Sequence, residues 1–488
     1  MLVIDVARLE TLLAVGGLLL LAGVMASKLS SRLGVPALLA FLALGMLIGS
    51  DGPGGIAFDD PLAAQGVGIV ALAFILFAGG LDTRWEQVRP VLRGGLLLST
   101  VGVVVTAVVT GLAAGLVLGV PLELGLLVGA AVSSTDAAAV FSVLGSRSVG
   151  LRQHLRPLLE LESGSNDPMA ILLTVGLLEW IVRGGFGAED AIRLLVQQLA
   201  LGMVGGALVA ALLAWVLGRV RLDQQGLYPV VTVAGVVLTY ATVSELGGSG
   251  FLAVYIVGLI LGQADLPHRR RLMDFHDAVA WLMQIVLFLV LGMLVFPSQL
   301  PAVAVPAVAI LVVLTFVARP LAVAICLPFG WSLRERALVS WVGLRGAAPI
   351  LLATFPLVAG IDVAGTVFDV VFFVVFLSVL LQGTSIPAVA RRLGVDAPLG
   401  PPRPLAVEGV QRGSAALDLA EVEVVGGSTA DGLRIIDLEL PDRVLVVLLR
   451  RGDDHVIPQG STTVEAGDAL VLVGPADDLA EVRTRFGG

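Results

Sequence analysis

Residues 157–182 read PLLELESGSNDPMAILLTVGLLEWIV. A helix needs about 20 residues of mainly apolar character to cross a bilayer, and this run has the length. It also carries Glu162 and Asp167 in its interior. An ionisable side chain near the bilayer centre costs about 2.5–3.5 kcal/mol on insertion scales, so a membrane helix holding two of them needs partners for them or a use for them. Helical spacing puts Ser163, Asn166 and Asp167 on one face, with Glu162 one step round and four residues before Asn166. Pro168 cannot donate to the Gly164 carbonyl and clashes with it, which is expected to leave that oxygen free beside the acids.

The rest of the chain has the same texture. Of 488 residues, 57% are hydrophobic and 14% charged, where a soluble domain carries about a quarter charged. The mean hydropathy of +0.98 excludes a soluble globular protein. The 59 glycines suit helices that pack closely or break inside a membrane. Although the net charge is −9, the basic residues are dispersed in short loops, so no nucleic-acid partner is expected. The single cysteine, Cys326, excludes an internal disulfide and reads as a buried structural thiol. The stretch from Thr11 to Met25 has a weakly charged start and a dozen further spans after it, so it reads as the first helix rather than a signal peptide.

Thirteen candidate spans result: 9–27, 36–50, 63–81, 95–117, 122–145, 157–182, 190–218, 226–245, 250–264, 276–296, 303–327, 335–358 and 364–390. Their loops alternate. Lys28 and Arg32, then Arg84, Arg89 and Arg93, then Arg147, Arg152 and Arg156, then Arg219 and Arg221, then Arg269, Arg270 and Arg271, then Arg334 and Arg336, then Arg391 and Arg392 fall in every second loop. Acidic, neutral or mixed loops lie between them. The positive-inside rule makes the Arg-rich loops cytoplasmic. An inner-membrane protein with a periplasmic N-terminus and a cytoplasmic C-terminus follows, and one missed or invented span would break the alternation.

After Arg392 the pattern changes, which divides the chain into a membrane domain, 1–392, a Pro/Gly/Arg-rich linker, 393–413, and a small soluble α/β domain, 414–488. In the last, Asp418–Val425 alternates like a strand, Val444–Leu449 and His455–Pro458 flank a turn and read as a hairpin, Asp468–Val473 is a further strand, and Ala476–Phe486 is helical. About 70 residues is small for a free domain, and self-association would bury more surface.

Two more clusters accompany the acids of 157–182. Ser133, Ser134, Thr135 and Asp136 in the fifth span supply hard oxygen atoms suited to an alkali cation, and local unwinding there would add backbone carbonyls. The same residues could serve as an interhelical hydrogen-bond cluster. In the twelfth span Gly343, Gly346 and Pro349 surround Arg345 and predict a broken helix. Arg345 is placed to neutralise helix-end carbonyls at the break or to snorkel to the surface. Arg319, in the eleventh span, cannot shed its proton and needs an acid. Glu162 suits it, leaving Asp167 to take cation and proton in turn. Competition of the two for one carboxylate is antiport without further machinery. Neither a phosphate-loop GxxxxGK[ST] nor HExxH occurs, and the four histidines have no metal-ligand spacing. No cofactor is expected and no enzyme is indicated.

The run Ser134-Thr135-Asp136-Ala137-Ala138-Ala139-Val140-Phe141-Ser142, with Glu162-Ser163-Gly164-Ser165-Asn166-Asp167-Pro168, resembles the NhaP-type branch of the cation/proton antiporters, in particular the bacterial potassium/proton antiporters. Leu76–Gly80, Trp341–Gly346 and Leu381–Ser385 also match, and the tail resembles the C-terminal (TrkA-C) lobe of a potassium-transport regulatory domain. The resemblance implies an NhaA-like fold of about thirteen transmembrane helices, with an inverted repeat and two broken helices that cross, in a homodimer working by elevator-like alternating access. It implies Asp167 as the carboxylate that binds cation and proton, with Thr135, Asp136, Ser163 and Asn166 around it, and Glu162–Arg319 as a buried pair. Asn166 before Asp167, in place of a second acid, marks the electroneutral branch. Ala137 stands where some relatives have Pro, and Ala78 where some have an acid. The activity implied is exchange of internal K+, with Na+ as the alternative cation, for external protons, gated by the tail. A small nucleotide is the ligand class suggested for the tail. The lack of GxGxxG speaks against a dinucleotide in a Rossmann half and leaves a cyclic dinucleotide as the candidate. A potassium channel would require a TVGYG-like filter, which is missing, and a sodium-coupled symporter would favour an aromatic-lined cavity, whereas aromatics are 6%.

Overall fold

The computed structural model describes the chain except residues 1–5, 34, 148, 153, 184–187, 221–223, 265, 267, 328, 398–417, 453 and 487–488. Most of the expected linker therefore lies outside the described residues. Two compact units emerge, Met1–Leu399 and Gly400–Gly488.

The first unit is helical. Among the described residues, seven helices are long and apolar enough to cross a membrane: Pro61–Asp82, Trp85–Leu118, Ile192–Arg219, Leu227–Glu245, Arg269–Met293, Leu300–Cys326 and Ala364–Leu393. Shorter apolar helices include Ala37–Ile48, Leu122–Ala131, Gly250–Gln263 and Ala347–Val358. The 29-residue helix Leu155–Arg183 carries the acidic stretch and runs unbroken through Pro168. Large apolar side chains stay exposed along these helices, among them Leu208, Leu212, Trp215 and Val305. Such surface is stable only where lipid covers it. Between helices, small residues allow close approach. A Cβ on Gly129 would run into the backbone at Ala107 and Gly111, so glycine there lets Leu122–Ala131 lie against Val103–Leu118.

Two interruptions and three π turns matter for the site among the described residues. The first interruption separates Leu122–Ala131 from Ala137–Ser146, and the second separates Leu333–Trp341 from Ala347–Val358. The π turns are Leu98–Gly102, Leu314–Ala318 and Val379–Gly383. Cys326 is buried and free, its thiol donating to the Leu97 carbonyl at 3.3 Å. A two-stranded antiparallel ribbon, β1 (Gly150–Leu151) with β2 (Asp396–Ala397), closes this unit.

The second unit is a four-stranded antiparallel sheet of β3 (Asp418–Glu423), β4 (Leu445–Arg451), β5 (Asp454–Val456) and β6 (Ala469–Gly474), in the order β3-β6-β4-β5, with the helix Ala476–Phe486. Alternation along β6 sends Leu470 and Leu472 into a core shared with Leu479, Val482 and Phe486, and a register shift between Val446 and Leu448 lets both Val446 and Leu449 of β4 join it.

Candidate functional site

The site forms where the two interruptions meet. The Asp136 amide donates to the Leu344 carbonyl at 2.8 Å, which joins one interruption to the other through backbone. Asp136 then caps the helix Ala137–Ser146, its carboxylate accepting from the Ala139 amide at 3.1 Å. An aspartate in this place satisfies an otherwise orphaned amide at a helix start. Gly346 is required opposite it, because a Cβ there would collide with the Asp136 carboxylate.

Arg345 lies in the second interruption, where Gly343, Gly346 and Pro349 predict a broken helix, and it is 1% exposed. Its Nη1 donates to the Ser133 carbonyl at 2.9 Å and to the Ser134 carbonyl at 2.7 Å. The guanidinium is buried and points at two carbonyls just past the end of Leu122–Ala131, where a helix has its negative pole.

The acid-bearing helix docks on the same place. Ser163 accepts from the Ala137 amide and donates to the Thr135 carbonyl, each at 3.0 Å. The Asn166 amide donates to Thr135 Oγ1 at 2.6 Å. Thr135, Ser163 and Asn166, predicted together, are thus joined directly. Asp167 lies beside Asp136 and the Ser134 hydroxyl and forms no salt bridge with the described residues. It is partly accessible, whereas Glu162 and Asn166 are buried. Asn166 Oδ1 is buried without a hydrogen-bond partner among the described residues, and the Ser134 hydroxyl faces the Asp167 carboxylate. Side-chain oxygens of this kind near a carboxylate suit a cation that has shed water.

Glu162, five residues before Asp167, is committed elsewhere. Arg319 approaches it at 2.5 Å (Nη1–Oε1) and 2.9 Å (Nη2–Oε2), and Nη2 also lies 3.3 Å from the Val339 carbonyl. Both side chains are at most 4% exposed. Gly343 leaves room for the pair: a Cβ there would meet Arg319 Nε at 2.9 Å.

Sequence reading missed two features. Ser378 and Gln382 are buried and bonded to the second interruption, though Gln382 sits in one of the matching segments. Asp369 is a buried acid in Ala364–Ser378, and the signal that exposed Asp167, an acid within an apolar run, was available for it too.

A family model for the transmembrane region of sodium/hydrogen exchangers matches residues 17–392, and one for the TrkA-C domain matches 419–487. The chain is 40% identical to the K(+)/H(+) antiporter NhaP2 of Shewanella oneidensis, covering 99% of this chain and 84% of that one. It is 39% identical to the K(+)/H(+) antiporter NhaP of Alkalimonas amylolytica, covering 96% and 82%. Among solved structures, the sodium proton antiporter MjNhaP1 of Methanocaldococcus jannaschii superimposes with a TM-score of 0.69 at 25% identity, over 79% of this chain and 99% of that one. A match spanning residues 17–392, together with 40% identity along nearly the whole chain, places this protein in the sodium/hydrogen exchanger family, with a TrkA-C domain at its C-terminal end.

Proposed function

We propose that the chain is an electroneutral antiporter that exchanges internal K+ for external protons across the bacterial inner membrane. The observation that carries this reading is the division of labour between two acids on one helix. Glu162 is neutralised by Arg319. Asp167 forms no salt bridge with the described residues, and the Ser134 hydroxyl faces its carboxylate. One carboxylate that holds either a cation or a proton exchanges them one for one, and no net charge moves. Thr135, Asp136 and Ser163 hold the surrounding backbone, and Arg345 removes the helix-end charge that would otherwise bind the cation too tightly to leave. No covalent bond is made or broken, so the protein is not an enzyme, and the reading calls for no cofactor.

The accompanying architecture is thirteen crossings in an NhaA-like inverted repeat, a periplasmic N-terminus, a cytoplasmic C-terminus and a homodimer held in membrane lipid. Residues 1–392 form the exchanger, 393–413 a linker, and 414–488 a regulatory domain taking a small nucleotide. K+ is preferred over Na+ because the 39–40% identical relatives carry potassium names. The sodium reading is supported by the Na(+)/H(+) antiporter ApNhaP of Aphanothece halophytica at 27% identity and by MjNhaP1.

Proton flux in liposomes containing the purified protein tests this. At zero membrane potential, K+ should collapse a pre-formed pH gradient, at a rate that an imposed potential does not alter. No response to K+, Na+, Li+ or Rb+ would sink the antiporter reading, and a potential-dependent rate would sink electroneutrality.

A further inference from the structure

The segment Leu381–Ser385 reaches the site through Gln382. Ser378 ends the helix Ala364–Ser378, and Gln382 lies in the π turn Val379–Gly383 that follows. A π turn inserts a residue into a helix and re-aims the side chains on it. The Ser378 hydroxyl donates to Gln382 Oε1. Gln382 Nε2 donates to the Trp341 carbonyl at 3.1 Å, and the Arg345 amide donates to Ser378 Oγ at 3.2 Å. The pair therefore clamps both sides of the second interruption, from the last residue of Leu333–Trp341 to Arg345. Ser378 is 0% and Gln382 4% exposed, so no water competes for these bonds. Arg345 passes the constraint across the site through its bonds to the Ser133 and Ser134 carbonyls. The Ser134 hydroxyl stands beside Asp167.

We infer that Gln382 and Ser378 are positioning residues for cation selectivity, fixing through Arg345 where the Ser134 oxygens stand relative to Asp167. This rests on the exchange reading above and names what discriminates its substrates. Alkali cations carry the same charge and differ in size, so the placement of oxygens around them is what separates one from another. Ser133, Ser134 and Thr135 have no regular helix to hold them. Ser133 is tied back to the Ala130 carbonyl, and beyond it the segment is held by Ser163 and Asn166 from one side and Arg345 from the other.

The test is cation-dependent proton exchange by the full-length protein in liposomes, with KM and kcat measured separately for K+ and Na+. Gln382→Met removes both side-chain bonds at similar volume. It is expected to move the ratio of the two KM values by about fivefold, the equivalent of one lost hydrogen bond, with a smaller change in kcat. Ser378→Ala should move the ratio in the same direction and Ser378→Thr should restore it, since threonine keeps the hydroxyl. Combining Gln382→Met with Ser378→Ala should give less than the product of the single effects, because both act on one chain of bonds. If Gln382→Met does not fold, the Ser378→Ala and Ser378→Thr pair decides. A KM ratio unchanged in Ser378→Ala, whatever happens to kcat or protein yield, overturns the inference while leaving the exchange reading intact. Wild-type protein without cation-dependent proton flux overturns both.

Discussion

Glu162→Gln and Asp167→Asn are chemically the same change, five residues apart on one helix, and they should have opposite consequences. Glu162→Gln leaves the Arg319 guanidinium, 4% exposed, without a counter-charge, its acceptors reduced to one neutral amide oxygen and the Val339 carbonyl at 3.3 Å. Removing one partner of a buried ion pair costs about 3–5 kcal/mol, because the other charge stays buried and uncompensated. Total stabilities of folded domains are about 5–15 kcal/mol, so the loss is a large fraction of what is available. Asp167→Asn removes a charge that forms no salt bridge and lies next to Asp136. Taking away one of two neighbouring carboxylates relieves repulsion, so stability should be unchanged or raised while exchange disappears.

Thermal unfolding of the detergent-solubilised full-length variants, followed by size exclusion, reads the first quantity, and proton flux in liposomes reads the second. A double-mutant cycle sharpens it. Arg319→Met alone should destabilise about as much as Glu162→Gln, and the two together should recover much of the loss, with a coupling of up to about 3 kcal/mol. The reasoning fails if Asp167→Asn is as destabilising as Glu162→Gln. It also fails if Asp167→Asn retains exchange while a well-folded Glu162→Gln abolishes it, which would reverse the two roles.

Gly346→Ala places a methyl group against the Asp136 carboxylate. Displacing that cap should cost about 1 kcal/mol and reduce exchange severely, whereas Gly145→Ala, with open space around it, should leave exchange intact. In the C-terminal domain, Arg451 holds Asp468 through two hydrogen bonds, at 2.8 and 2.7 Å, and keeps that carboxyl below its usual range. A depressed carboxylate stabilises the fold above its unfolded pKa, and the contribution disappears as pH falls through the lower folded value. Arg451→Gln should therefore weaken amide protection in β4 and β5 by on the order of 1 kcal/mol at pH 7, part of the bond being screened by solvent. The gap from wild type should close as the buffer is taken below about pH 4. A gap that persists unchanged to low pH would assign the effect to lost packing of the Arg451 stem.

The readable parts of this molecule are those where one residue type has few uses. An arginine within an apolar run demands an acid, and Glu162 was the natural candidate for Arg319 from residue types and burial alone. Glycines and hydroxyl residues at 129–136 and 343–346 marked both interruptions, although Gly129 itself serves helix contact rather than the break. The π turns were not legible, since inserting one residue into an apolar stretch such as Val379–Gly383 leaves no change in hydropathy. Pro168 reads as freeing the Gly164 carbonyl rather than as ending the helix, and Leu155–Arg183 continues through it. Arg345 was open for a physical reason. Its spacing shows a charge at a break, but its acceptors, Ser133 and Ser134, lie more than 200 residues earlier. Only the crossing of the two interruptions brings them within reach. Each interruption then supplies what the other lacks. The first offers carbonyls with no helical partner, and the second offers a guanidinium with no acid. Neither would be stable in a membrane without the other, so a substitution that straightens one break should unsettle the opposite one before it touches Asp167.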